Sequence, residues 1–219
     1  MIAMLLLSGG CGLNANRPVA QPAVRAQLID ELRRIYRELG VRIPVRAGQV
    51  EWGEQRSTVV PGLVYHTAAY DPPGLHSQIG AIVATRESTS RVLRSATDWI
   101  VLASGWSPGG ARDAHEACRE LIRAGGGQGS AFTVPTPLTP ENLSAQGVAF
   151  QASEVMMKLG SSPPAVQHVA GLWRAEIWVP EVRRGFSRYA MRYRCEFPDR
   201  PQRSPTLTPL DSVPGIPLP

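Results

Sequence analysis

The stretch that most limits what this chain can fold into lies between Trp173 and Phe197. Trp173, Ala175, Ile177 and Val179 are apolar at every second position, and after a break at Arg183-Arg184-Gly185 the period resumes through Tyr189, Met191, Tyr193, Cys195 and Phe197. A period of two puts successive side chains on opposite faces of a strand, so each run buries one face and wets the other. Two such runs across a short turn predict an antiparallel hairpin. A lone hairpin is marginal in water, so further strands or helices must cover its apolar face.

Upstream the period lengthens to that of a helix. From Val24 onward, Leu28, Ile29, Leu32, Ile35, Tyr36 and Leu39 share one side, and Asp30, Glu31, Arg33, Arg34, Arg37 and Glu38 share the other, with Gly40 placed to end the helix. The mixed-sign polar side reads as solvated surface, because membrane-surface helices favour a basic face. Val41, Ile43 and Val45 alternate around Pro44 as an edge strand, residues 49–53 and 58–66 suggest two more strands, Asp71-Pro72-Pro73-Gly74 is a turn, and Gly80 to Thr85 is a buried strand or the lead into the next helix. Val92, Leu93, Ala96, Trp99, Ile100 and Ala103 have helical spacing across 87–104; Ala111 to Ala124 is a second helix, and Thr139-Pro140 starts a third that runs to Leu159. The fold class expected is α+β: a mostly antiparallel sheet with a C-terminal hairpin, packed by three or four helices, in one domain over residues 23–197. Residues 198–219 hold seven prolines and read as an extended, Pro-rich tail that cannot fold alone.

The 219 residues include 21 Gly and 20 Pro, yet no repeat or collagen-like period is present, which excludes collagen, coiled coil and solenoid. The net charge is +5, and Lys158 is the single lysine among 23 basic residues, so only clustering would mark an electrostatic footprint. One cluster exists: residues 172–197 carry a net +3. By alternation Arg188, Arg192 and Arg194 share the hairpin face opposite the Tyr/Met/Cys/Phe set, a candidate surface for lipid headgroups, an acidic protein or nucleic acid. A solvated face decorated with Arg is the competing interpretation.

The first eleven residues, Met-Ile-Ala-Met-Leu-Leu-Leu-Ser-Gly-Gly-Cys, set a short apolar run before small residues and Cys11. This resembles the end of a bacterial lipoprotein signal, in which the cysteine thiol receives diacylglycerol at the membrane surface. The resemblance implies lipidation at Cys11, a tether over residues 12–22, and an extracytoplasmic, membrane-anchored location in the cell envelope. The segment is far shorter than the ~20 apolar residues that cross a bilayer. Cys118 and Cys195 then remain as an even pair that an oxidising compartment could join; two buried free thiols fit the spacing equally well.

Candidate chemistry is sparse. Gly105-Trp106-Ser107-Pro108-Gly109 matches G-x-S-x-G and resembles the nucleophile elbow of the α/β-hydrolases, with Ser107 as nucleophile. Pro108, however, has no N–H to give an oxyanion hole, and a triad would have to be assembled from Glu141 or Glu154 with His168. Ser107 as helix N-cap with Pro108 as first helical residue uses the same residues without strain. His66, His76, His115 and His168 are scattered, and His115 with Cys118 supplies only two ligands, so no metal or cofactor is expected. Gly125 to Ser130 lacks a GK[ST] ending and reads as a connector. Arg184 to Tyr189 begins like an RNA-binding motif but puts Arg188 where a stacking aromatic belongs.

These observations favour a lipid-anchored, non-catalytic accessory or structural subunit of an envelope membrane complex, an energy-transducing one being a conceivable host, whose protein partner meets the C-terminal tail. Two alternatives come from other classes. A serine hydrolase using Ser107 predicts fluorophosphonate labelling that Ser107→Ala abolishes. A basic nucleic-acid binder requires retention in the cytoplasm and an affinity that falls steeply with salt.

Overall fold

Four layers stack in the order helix, sheet, helices, sheet. The computed structural model describes residues 22–40, 44–71, 79–126, 136–139, 157–162, 164–183, 187–200 and 203–213. Helix α1 (Pro22–Glu38) leads through a 3-10 turn (Ala47–Gln49) into β1 (Glu51–Arg56), β2 (Val64–Tyr70), β3 (Ile79–Arg86) and β4 (Thr89–Val92). Helices α2 (Ala96–Leu102) and α3 (Ala111–Gly126) follow, then β5 (Val166–Val169), β6 (Leu172–Arg183), β7 (Ser187–Pro198) and β8 (Thr206–Val213). Each set of four strands forms an antiparallel sheet in sequence order, β1-β2-β3-β4 and β5-β6-β7-β8. The architecture is α+β, as the patterns predict, with the strands divided between two sheets.

Strand alternation explains the layering. On β2, Tyr65 enters a core with Trp99 and Leu102 of α2, Ala117 and Leu121 of α3, and Ala175, Ile177 and Phe197 of the second sheet. Ala68 and Tyr70, of opposite parity, pack with Leu28, Leu32, Ile35 and Tyr36 of α1. The first sheet is thus covered on both faces, which is why β3 is buried without a break from Ile79 to Ala84. Small residues along α3, Ala114, Ala117 and Cys118, let that helix lie between the two sheets.

Polar groups fix these layers. Arg86 donates from Nη1 to the carbonyls of Leu102 and Ser104 at 2.8 and 2.9 Å, capping the C-terminal end of α2. At the other end, Asp98 accepts from the backbone N–H groups of Arg94 and Ser95, both at 3.0 Å. Burial would raise the Asp98 pKa, but these N–H groups and the Arg91 guanidinium outweigh it and hold the carboxyl below its usual range.

Several elements differ from the sequence expectation for identifiable reasons. Glu31, placed on the polar side of α1, is buried because Arg34 and Arg94 converge on its carboxylate at 2.6 and 2.7 Å. Burial pushes its pKa up, and the two arginines pull it further down, so the pair-neutralised acid stays ionised. Residues 44–46 form no strand, and residues 57–63 form the β1–β2 loop. The helical spacing over 87–104 covers a hairpin return, β4, before α2 begins at Ala96. Residues 206–213 of the tail pair with β7 as an edge strand, Leu207 facing Cys195 and Pro209 facing Tyr193; Pro is tolerated at such an edge. Cys11, the tether over 12–21, Val41, Ile43, the Pro72–Gly74 turn, His76, the helix over 140–156 with its Glu141 and Glu154, Gly127 to Ser130, the Arg184-Gly185 turn and residues 214–219 lie outside the described residues.

Two predictions arise here. Ala170 and Gly171, the two-residue turn between β5 and β6, have φ of 52° and 76°. A left-handed alanine costs about 1 kcal/mol, whereas Asn-Gly suits such a turn. Ala170→Asn is therefore expected to raise the unfolding free energy by roughly 0.5–1 kcal/mol, measured by urea denaturation.

His66 is buried on β2, with Nε2 3.1 Å from Thr85 Oγ1 and Nδ1 3.4 Å from Glu54 Oε2. Burial lowers its pKa, and Glu54 opposes that only in part. The fold therefore prefers the neutral imidazole. Its contribution is complete above the unfolded pKa of about 6.5 and is lost as pH falls through the lower folded value. Between pH 7 and 5 the wild type should lose stability more steeply than His66→Gln; parallel curves would remove the assignment.

Candidate functional site

The second sheet turns its inner face to α3 and its outer face away from it. Even-numbered residues of β6 and β7 occupy the outer face: Arg174, Glu176 and Trp178, and opposite them Glu196, Arg194 and Arg192 in register. Arg192 and Arg194 thus share the outer face; Arg188 pairs with Val182 through its backbone, and its side chain lies outside the described residues. The basic residues are interleaved with acids. Arg174 reaches Glu196 at 2.9 Å, Arg194 reaches Glu176 at 2.6 Å, and Arg192 stands 3.8 Å from Glu176 while its guanidinium lies 5.7 Å from the Trp178 ring centroid. Such cross-strand opposite-charge pairs stabilise a sheet modestly.

Glu176 is the deepest of these groups, its side chain only 6% exposed, and its Oε2 is buried without a hydrogen bond. Further along the face, Trp178, Ala190 and Val213 form a small apolar cluster with Leu138, and Trp178 Nε1 donates to Ser162 Oγ at 2.9 Å. Lys158 donates to Asp211 at 3.1 Å, and this ammonium holds the Asp211 carboxyl below its usual range. Beside the charge ladder a hollow of about 240 Å³ opens between Pro164, Gln167, Arg174, Glu176 and Arg194. Sequence reasoning found Arg192 and Arg194 but missed Gln167, Arg174 and Glu176 as their neighbours. The alternation already put Arg174 and Glu176 outward; the register that sets them against β7 was not legible.

The inner face carries the covalent link. Cys118 of α3 and Cys195 of β7 form a disulfide with Cα atoms 5.5 Å apart, both residues fully buried. It joins the helix layer to the second sheet across 77 positions of sequence. Such a bond fits an extracytoplasmic protein.

Ser107 is placed by its own bonds. Its hydroxyl donates to the Pro198 carbonyl at 3.0 Å, while His168 meets Asp199 through Nε2 at 2.9 Å and lies over Trp173 with ring centroids 4.5 Å apart. No bond between Ser107 and His168 occurs among the described residues. Nor does Ser107 act as an N-cap: α3 begins at Ala111, and Gly109 N–H donates to Asp113 at 3.0 Å. His115 makes a 3.7 Å approach to Glu116 on the helix surface. Among the described residues no group of three His, Cys, Asp or Glu is arranged to hold a metal, and no helix is long and apolar enough to cross a membrane.

A buried carboxylate lies between the loop and the helix layer. Glu120 of α3, 3% exposed, accepts from Ser57 Oγ at 2.8 Å, Thr58 N–H at 3.1 Å and Tyr65 Oη at 2.5 Å, and Trp99 Nε1 in turn donates to Tyr65 at 2.8 Å. Burial and the adjacent carboxylate push the Tyr65 hydroxyl far above its usual pKa, so it remains a donor.

Fold and site together define an α+β, disulfide-linked two-sheet protein with a charge-laddered outer face. No protein-family model, no curated protein and no solved structure matches the chain.

Proposed function

We propose that this chain is a lipid-anchored extracytoplasmic protein, a non-catalytic accessory or structural subunit of an envelope membrane complex. The observation that carries the reading is the Cys118–Cys195 disulfide, since such bonds persist in oxidising compartments and are rare in the cytosol. It agrees with the lipoprotein-like signal ending at Cys11. The spent hydroxyl of Ser107, given to the Pro198 carbonyl, supports a role without acyl transfer. A protein partner would meet the C-terminal segment: β8 is an edge strand, paired with β7 on one side, and an edge is a ready template for strand addition.

Intact mass spectrometry of protein extracted from native membranes without reductant tests this reading, with co-purifying proteins identified from the same sample. A chain beginning at an acylated Cys11 and two hydrogens light is the expected result. A soluble, unmodified chain with free thiols overturns it and reopens the hydrolase and nucleic-acid alternatives.

A further inference from the structure

The hollow on the outer face of the second sheet brings together two arginines that are oriented by acids rather than spent on them. Arg174 places Nε and Nη2 on Glu196 Oε1 at 3.0 and 2.9 Å, and Arg194 places Nε and Nη2 on Glu176 Oε1 at 2.7 and 2.6 Å. A guanidinium carries five N–H donors in a fixed fork. Among the described residues Nη1 of each arginine makes no hydrogen bond, although both side chains are about one-third exposed at 36% and 35%.

The register explains why the pair faces one space. Arg174 stands opposite Glu196 and Arg194 opposite Glu176, so the two arginines are diagonal neighbours on one face, their backbone positions roughly 7–8 Å apart. Gln167 of β5, opposite Arg174, adds a neutral amide to the wall. Glu176 in the wall and Glu196 on Arg174 match the two guanidinium groups in charge, so what the hollow offers an incoming anion is the unused Nη1 donors of the two forks rather than net charge. Its volume of about 240 Å³ exceeds several times the ~30 Å³ of a water molecule. Planar N–H forks lining one hollow suit an oxygen-bearing anion better than a cation or an apolar group.

We infer that this hollow binds a small oxyanion, a carboxylate or phosphate group, held between Arg174 and Arg194. The inference rests on the sheet and its register and not on membrane anchoring, so a failure of either proposal leaves the other intact.

The test is an NMR titration of the full chain with inorganic phosphate, and separately with acetate, at constant ionic strength balanced by chloride, following the Nε–Hε resonances of Arg174 and Arg194. Saturable shifts are expected with at least one anion, weakened about tenfold or more in Arg174→Gln, as loss of a charge-assisted bond implies. Arg174 is the informative position because its partner Glu196 is 28% exposed and stays solvated when unpaired, whereas losing Arg194 would strand Glu176. Arg203→Gln, outside the hollow, should bind as the wild type does. Saturation by phosphate alone assigns a tetrahedral ligand, and saturation by acetate assigns a carboxylate. No saturable shift with either anion, or equal affinity in a folded Arg174→Gln, overturns the site.

Discussion

Replacing Cys118 and Cys195 together by alanine should lower the unfolding free energy by about 4.5 kcal/mol, the loop-entropy value for a closure of this length. The bond closes a loop across 77 positions and ties α3 to β7, two elements that local sequence does not bring together. A domain of this size is stable by about 5–15 kcal/mol, so the loss would remove a large part of the total. Guanidinium unfolding of the oxidised wild type and the double-alanine variant measures it. A loss below about 1 kcal/mol would mean that the native protein does not depend on this crosslink. Because both sulfurs are fully buried, reductant added to the folded protein should act only as fast as the protein opens.

Glu120→Ala is expected to cost about 3 kcal/mol. The substitution removes the acceptor that Ser57, Thr58 N–H and Tyr65 share at a carboxylate that is 3% exposed, and of the three donors Tyr65, 1% exposed, is the one shut away from water. Glu120→Gln keeps an acceptor oxygen, and the serine and tyrosine hydroxyls can rotate toward its amide, so roughly half that loss is expected. Hydrogen exchange provides the local readout. Residues 57–63 should lose protection in Glu120→Ala, because Ser57 Oγ also holds the N–H groups of Val59 and Val60 at 3.3 and 2.9 Å and is itself fixed by the carboxylate. Unchanged protection there would show that the loop is held by its apolar residues, Val60 and Leu63, alone.

How much of this was legible depended on the range of the interaction. The helix over residues 22–38 and the β6–β7 hairpin were plain, because a period of 3.6 or of two records which side of a single element meets the core. Glu31 broke the pattern for a non-local reason, since Arg94 lies 63 residues away and only the packing of α1 over the first sheet brings it near. The β4 strand was hidden inside a helical spacing, because Val92 and Leu93 serve a strand end while Ala96 and Trp99 begin α2. On the candidate site, alternation identified Arg192 and Arg194 as outward. The compensation by Glu176 and Glu196 required the register, which pairs each acid with an arginine across the two strands.

By itself the sequence determined the α+β class, the amphipathic character of α1, the helix over Ala111 to Ala124, and the pairing partners available to three cysteines, because these follow from periodicity and residue chemistry within a few positions. Tertiary structure alone decided that the strands form two sheets around a shared helix layer, that residues 206–213 complete the second sheet, and that Cys118 meets Cys195. It also brought Arg174 and Arg194 to one hollow. Each of these is a meeting of segments distant in the chain, and such meetings are settled by burial of complementary faces, a quantity that no local pattern carries.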